Sequence, residues 1–119
     1  MKIRVLVVED EALVAMMVED AVERAGHIVA ATAANITDAV AAVMRDDFDV
    51  ALLDMNLNGQ KAHALPVSLT ARRKPFAFVT GYGQPGILEK FATAPVVTKP
   101  FRYEDIERVL AVLTAAMAR

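Results

Sequence analysis

Five polar residues scattered along the chain have the types needed for phosphoryl chemistry: Glu9, Asp10, Asp54, Thr80 and Lys99. Each falls at the end of a short apolar run. Three carboxylates in one pocket would repel one another unless something neutralised them. A hard divalent cation would do so. Oxygen ligands, partial hydration and an anionic phosphoryl ligand suit Mg²⁺ better than Zn²⁺. Asp10 and Asp54 are the expected direct ligands, with Glu9 acting through water and the backbone carbonyl of Asn56 completing the protein's share. Asp54 could then attack phosphorus as a carboxylate nucleophile. Lys99 offers an ammonium to the phosphoryl oxygens and Thr80 a hydroxyl. Phosphoryl transfer asks mainly for such positioning and charge neutralisation.

The elements that would gather these residues are legible from patterning. Ile3 to Val8 is apolar apart from Arg4, as in a strand covered on both faces. Val14, Met17, Val18, Ala21, Val22 and Ala25 fall on one helical stripe, which Gly26 ends. His27 to Thr32 reads as a second strand. Asn35, with Asp38 three residues on, opens a helix to about Arg45. Asp49 to Leu53 is a third strand, and Asn56-Leu57-Asn58-Gly59 has the composition of a loop. A helix from about Lys61 to Ala71 contains Pro66, which should kink or shorten it. Pro75 to Val79 is a fourth strand. Thr80 to Gly86 holds three glycines and a proline, so only Ile87 to Phe91 could supply a turn or two of a degraded fourth helix. Val96 to Thr98 is a fifth strand. Ile106, Val109, Leu110, Leu113 and Met117 form the stripe of the last helix.

Strands alternating with helices predict an α/β fold, a doubly wound parallel sheet with helices on both faces. Sites in such sheets form at the carboxyl ends of strands, near a topological switch point. The five polar residues all sit at such ends, so folding should bring them into one cleft. The 119 residues suit a single domain, residues 1–119, with one core and no output domain. No run approaches the ~18 apolar residues a membrane span needs. Lack of cysteine excludes disulfides and thiolate metal sites, and a formal charge of −2 gives no reason to expect nucleic acid as a partner. A cytoplasmic protein is expected.

The pattern Glu9-Asp10, Asp54, Thr80, Lys99-Pro100-Phe101 closely resembles the two-component receiver domain over nearly the whole chain. The resemblance implies a flavodoxin-like fold of five parallel strands in the order 2-1-3-4-5. It implies Mg²⁺-dependent phosphorylation of Asp54 by a histidine kinase or histidine phosphotransferase, then slow hydrolysis. It makes Lys99-Pro100 a candidate cis peptide. Such a domain is not an enzyme beyond catalysing its own phosphorylation and dephosphorylation. It signals by contact with other proteins or serves as a phosphate sink, as a monomer or weak dimer. More narrowly, Phe78-Val79-Thr80-Gly81-Tyr82-Gly83 is similar to the signature of FATGUY receivers, with Val79 in place of alanine. The stretch Asp54 to Gly59 also fits that group, which implies a kinase of HWE or related type. Receivers typically carry an aromatic residue three positions before the lysine. Here that position is Val96, which leaves Tyr82 as the candidate switch residue. Phosphorylation is expected to draw Thr80 toward Asp54 and reorder residues 81–91.

Two rival folds with strand-end sites fit less well. A haloacid-dehalogenase-like phosphatase needs a second acid two residues after its aspartate nucleophile, where this chain has Asn56. A flavodoxin cradles its flavin phosphate after the first strand, where Glu9-Asp10-Glu11 would repel it. A receiver acting without phosphorylation is a third alternative, although all five key residues are present. Among other residues, His27 and His63 have no partner at ligand spacing and read as structural or surface residues. Arg72-Arg73-Lys74 reads as a solvated face and the methionines as core filler.

Overall fold

The computed structural model describes residues 2–57, 60–61, 64–81, 91 and 93–117, with 60–61 described by backbone alone. The strands are β1 (Arg4–Val8), β2 (Ile28–Ala33), β3 (Val50–Leu53), β4 (Asn56–Leu57), β5 (Gln60–Lys61), β6 (Phe76–Thr80) and β7 (Val96–Thr98). The helices are α1 (Ala12–Arg24), α2 (Ile36–Arg45), α3 (Ala64–Ala71) and α4 (Tyr103–Met117). Five strands form one parallel sheet in the order β2-β1-β3-β6-β7. Counting only those five, the order is 2-1-3-4-5, as the sequence led us to expect.

The pleat divides the core into two. Val5 and Val7 of β1 join Val18 and Val22 of α1 and Ile106 and Leu110 of α4. Leu6 and Val8 join Ala39 and Val43 of α2 and Leu65 and Leu69 of α3. Both faces of the sheet are therefore covered, which is why β1 after Arg4, β3, and β6 up to Thr80 read as apolar runs. The chain runs from β1 to β2 on one side and then crosses to β3 on the other side of β1, so the switch point lies where β1 and β3 end.

Local signals set the helix ends. Asn35 caps α2, its side chain accepting the Asp38 N–H at 2.8 Å and donating to the Asp38 carboxylate at 3.0 Å. Gly26 takes φ +89° after α1. There the His27 N–H donates to the Val22 carbonyl and the Gly26 N–H to the Glu23 carbonyl, the pair of bonds that closes a Schellman motif. Pro66 lies in the first turn of α3, where its missing N–H leaves no intrahelical bond unmade. That places the described start of α3 at Ala64 rather than at Lys61.

Several expectations need correction. Met17 is exposed, and Ala15 takes its place among the buried residues of α1. Met16 and Met44 are exposed as well, so the methionines are not mainly core filler; Met55 is the fully buried one among those described. Lys74 does not stand on a solvated face. Its ammonium lies 2.9 Å from Asp46, donates to the Phe48 carbonyl at 2.7 Å and sits over the Phe48 ring. Residues 56–61 form a short antiparallel hairpin, β4 with β5, rather than plain loop. The first four strands of the main sheet begin or end a residue away from their expected bounds, and the fifth, Val96–Thr98, matches them. Residues 87–90 of the expected fourth helix and the candidate switch residue Tyr82 lie outside the described residues, as do Asn58, Gly59 and His63. Among the described residues, no helix is long and apolar enough to cross a membrane.

Candidate functional site

Backbone hydrogen bonds fix each strand end. The Asp54 N–H donates to the Val8 carbonyl at 2.8 Å, setting Asp54 beside Glu9. The Glu9 N–H donates to the Ala33 carbonyl at 2.9 Å. Thr80 pairs with Thr98 across β6 and β7, and the Lys99 N–H donates to the Thr80 carbonyl at 2.9 Å, which fixes Lys99 just past the end of β7. The Lys99–Pro100 peptide is cis, and Phe101 is buried in the core under α1 and α4. The ladder thus brings Glu9, Asp10, Asp54, Thr80 and Lys99 to one end of the sheet.

Three of these are unusual in being polar and buried: Glu9 is 3% exposed, Asp54 5% and Thr80 6%. Glu9, Asp10 and Asp54 each offer a carboxylate oxygen within 4.8 Å of the others. Lys99 places its ammonium among the acids, 2.8 Å from Glu9 Oε1, 3.4 Å from Asp54 Oδ2 and 3.7 Å from Glu11 Oε1. The Asn56 N–H donates to Asp54 Oδ1 at 3.1 Å, and the Glu11 N–H to Glu9 Oε2 at 3.1 Å. Glu9 is therefore tied to the start of α1 through the residue that precedes the helix, although no side chain caps α1 itself.

Burial raises the Glu9 carboxyl to about 7. The Lys99 ammonium and the Glu11 N–H oppose that shift, and the Asp54 carboxylate adds to it. Burial also works against the charge on Lys99, but Glu9, Asp54 and Glu11 around it prevail and raise its value. The short contact with Glu9 is an ion pair without hydrogen-bond alignment. Glu9 Oε1 is a buried oxygen that receives no hydrogen bond among the described residues. A buried carboxylate oxygen met only by an ammonium, two further carboxylates and no sulfur or imidazole donor in the cluster fit a hard cation.

Sequence reasoning missed Glu11, whose side chain reaches Lys99. Its signal was present as a third acid after Glu9-Asp10, but its partner became visible only once the sheet brought the end of β7 and the end of β1 to the same edge of the cleft. Val96, where receivers carry an aromatic residue, is exposed on β7.

The model of the response regulator receiver domain family matches residues 5–111. Comparison with curated proteins finds no match. Among solved structures, the chain is similar to SdrG from Sphingomonas melonis Fr1, at 34% identity and a TM-score of 0.81, covering 99% of this chain and 98% of that one. It is also similar to the receiver domain of the PhyR response regulator from Erythrobacter litoralis, at 29% identity and a TM-score of 0.80, covering 96% of this chain and 91% of that one. A third likeness is to PhyR from Bartonella quintana, described as an anti-anti-sigma factor, at 27% identity and a TM-score of 0.80. There the match covers 97% of this chain and 48% of the other.

Proposed function

This chain belongs to the response regulator receiver domain family, and from that premise we propose that it accepts a phosphoryl group onto Asp54 from a histidine kinase or histidine phosphotransferase. One observation carries the reading: Lys99 sits between Glu9 and Asp54 beside a three-carboxylate cluster at the switch point. In the proposed step an Asp54 carboxylate oxygen bonds to phosphorus as the P–N bond of the phosphohistidine breaks. The electron pair leaves with the imidazole nitrogen, which then takes up a proton. Lys99 faces the phosphoryl oxygens and Thr80 donates its hydroxyl to them. Hydrolysis returns the carboxylate and inorganic phosphate.

Glu9, Asp10 and Asp54, with the backbone carbonyl of Asn56, are the proposed holders of Mg²⁺. Bound there, the ion would supply charge neutralisation for three acids and an incoming phosphoryl group. A protein partner has an apolar surface available: Leu13, Met16 and Met17 are exposed on α1, which starts beside the acid pair. A kinase of HWE type and membership of the FATGUY group rest on residues 78–83 and 54–59. Likeness to about half the length of an anti-anti-sigma factor supports output by protein contact rather than by catalysis. A cytoplasmic monomer or weak dimer fits these roles. We also propose that phosphorylation moves Thr80 toward Asp54 and rearranges residues 81–91; amide exchange that is unchanged there by a phosphoryl mimic would refute this.

Incubation with a small phosphodonor and Mg²⁺ tests the main reading. Intact-mass analysis should show one phosphoryl group per chain on the parent and none on Asp54→Asn. Catalytic turnover of phosphate esters would point instead to a phosphatase, and labelling that survives the substitution would move the site elsewhere.

A further inference from the structure

Glu11 contacts both partners of the site's shortest ion pair. Its N–H donates to Glu9 Oε2, and its carboxylate lies 3.7 Å from the Lys99 ammonium. The two carboxylates differ in setting: the Glu9 side chain is buried, whereas that of Glu11 is 65% exposed at the rim. Lys99 lies closest to the buried one, where it covers Glu9 Oε1 and approaches Asp54. In that position the ammonium already neutralises the oxygens a cation would need. A divalent ion held by Glu9, Asp10 and Asp54 would bring two more positive charges to the same place, and like charges in a poorly solvated cleft repel strongly. Lys99 must then give way. Of the three acids it touches, Glu11 is the one not needed for the cation and the one nearest solvent.

We infer that Glu11 is a positioning residue which receives the Lys99 ammonium when a divalent cation occupies the cleft. Lys99 is thus a resident counter-ion that competes with the metal, and Glu11 lowers the cost of displacing it. This rests on the proposed Mg²⁺ site. It also accounts for the small exposure of Asp54, because movement of Lys99 toward the rim would uncover the carboxylate that must meet phosphorus.

A double-mutant cycle separates this role from simple attraction between Glu11 and the ion. Mg²⁺ is titrated into the parent, Glu11→Gln, Lys99→Met and the double variant at constant ionic strength, followed by backbone amide shifts. Lys99→Met should bind Mg²⁺ about tenfold more tightly than the parent, the scale of one lost charge competitor. Glu11→Gln should weaken binding in the parent, and that loss should shrink by about threefold in the Lys99→Met background. Independent, multiplicative effects would overturn the inference. A second measurement needs no variant. In the parent, nuclear Overhauser effects from the Lys99 ε-protons to the Glu11 γ-protons should strengthen on Mg²⁺ addition, while those to the Glu9 γ-protons weaken. Lys99 remaining against Glu9 at saturating Mg²⁺ would overturn it. Absence of Mg²⁺ binding by the parent would instead remove the proposed metal site, and this inference with it.

Discussion

Replacing Glu9 by glutamine should make the metal-free protein more stable at alkaline pH, although it removes a partner of Lys99. The Glu9 carboxyl is raised from its ordinary value of 4.5 to about 7, chiefly by burial. Below pH 4.5 the folded and unfolded chains both hold the proton, so the shift costs nothing. Between 4.5 and about 7 the unfolded chain ionises first, and stability falls as pH rises. Above 7 the cost is complete. At roughly 1.4 kcal/mol per unit, it amounts to about 3 kcal/mol. Glutamine resembles the protonated acid and escapes this cost. Its amide nitrogen would face the Lys99 ammonium, donor against donor, which gives back about 1 kcal/mol. Urea denaturation in EDTA should therefore find Glu9→Gln about 2 kcal/mol more stable than the parent at pH 8, and level with it or slightly weaker at pH 4.5. Mg²⁺ should reverse the order at pH 8, because at a hundred times its dissociation constant a ligand adds about 2.7 kcal/mol to the parent. A parent whose stability is flat from pH 4.5 to 8, with a variant no more stable at pH 8, would refute the reasoning.

The same carboxyl makes Mg²⁺ binding pH-dependent. With Glu9 at about 7, affinity at pH 6 should be about tenfold weaker than at pH 8, by calorimetry or amide shifts; equal affinities would remove Glu9 from the metal's surroundings. Gly26→Ala should cost about 1 kcal/mol, because φ +89° strains any residue with a Cβ while nothing lies within 4 Å of the added atom. A urea midpoint equal to that of the parent would count against the Schellman closure of α1. Asn35→Ala should cost about 1 kcal/mol through loss of the bond from the Asp38 N–H, read by the same assay, and an unchanged midpoint would dismiss the cap.

Much of this fold is visible in the sequence because a parallel sheet buried on both faces leaves continuous apolar runs, and β1, β3 and β6 are such runs. Their ends carry Glu9, Asp54 and Thr80, polar residues where apolar ones would otherwise continue, so the site announces itself at the same places as the strands. Capping chemistry is equally local, as Asn35 and Gly26 show. What the sequence concealed depends on distance or on close packing. Ala15 rather than Met17 faces the core because periodicity ranks apolar size and cannot see which flank of α1 meets the sheet. Lys74 looked solvated until Asp46 and Phe48, remote in sequence, folded beneath it. The β4–β5 hairpin is held by backbone bonds over two residues on each side, too short for a side-chain pattern. Glu11 was a third acid without a partner until folding carried Lys99, just past the end of β7, to the same end of the sheet.

The most direct test of the account is to locate the modified residue. Protein treated with phosphodonor and Mg²⁺ is reduced with borohydride, which converts an acyl phosphate on aspartate to homoserine, and the peptides are sequenced by mass spectrometry. The account expects homoserine at position 54 alone, present with Mg²⁺ and missing when EDTA is added. Homoserine at another aspartate, or the same yield at position 54 with and without the metal, would contradict it.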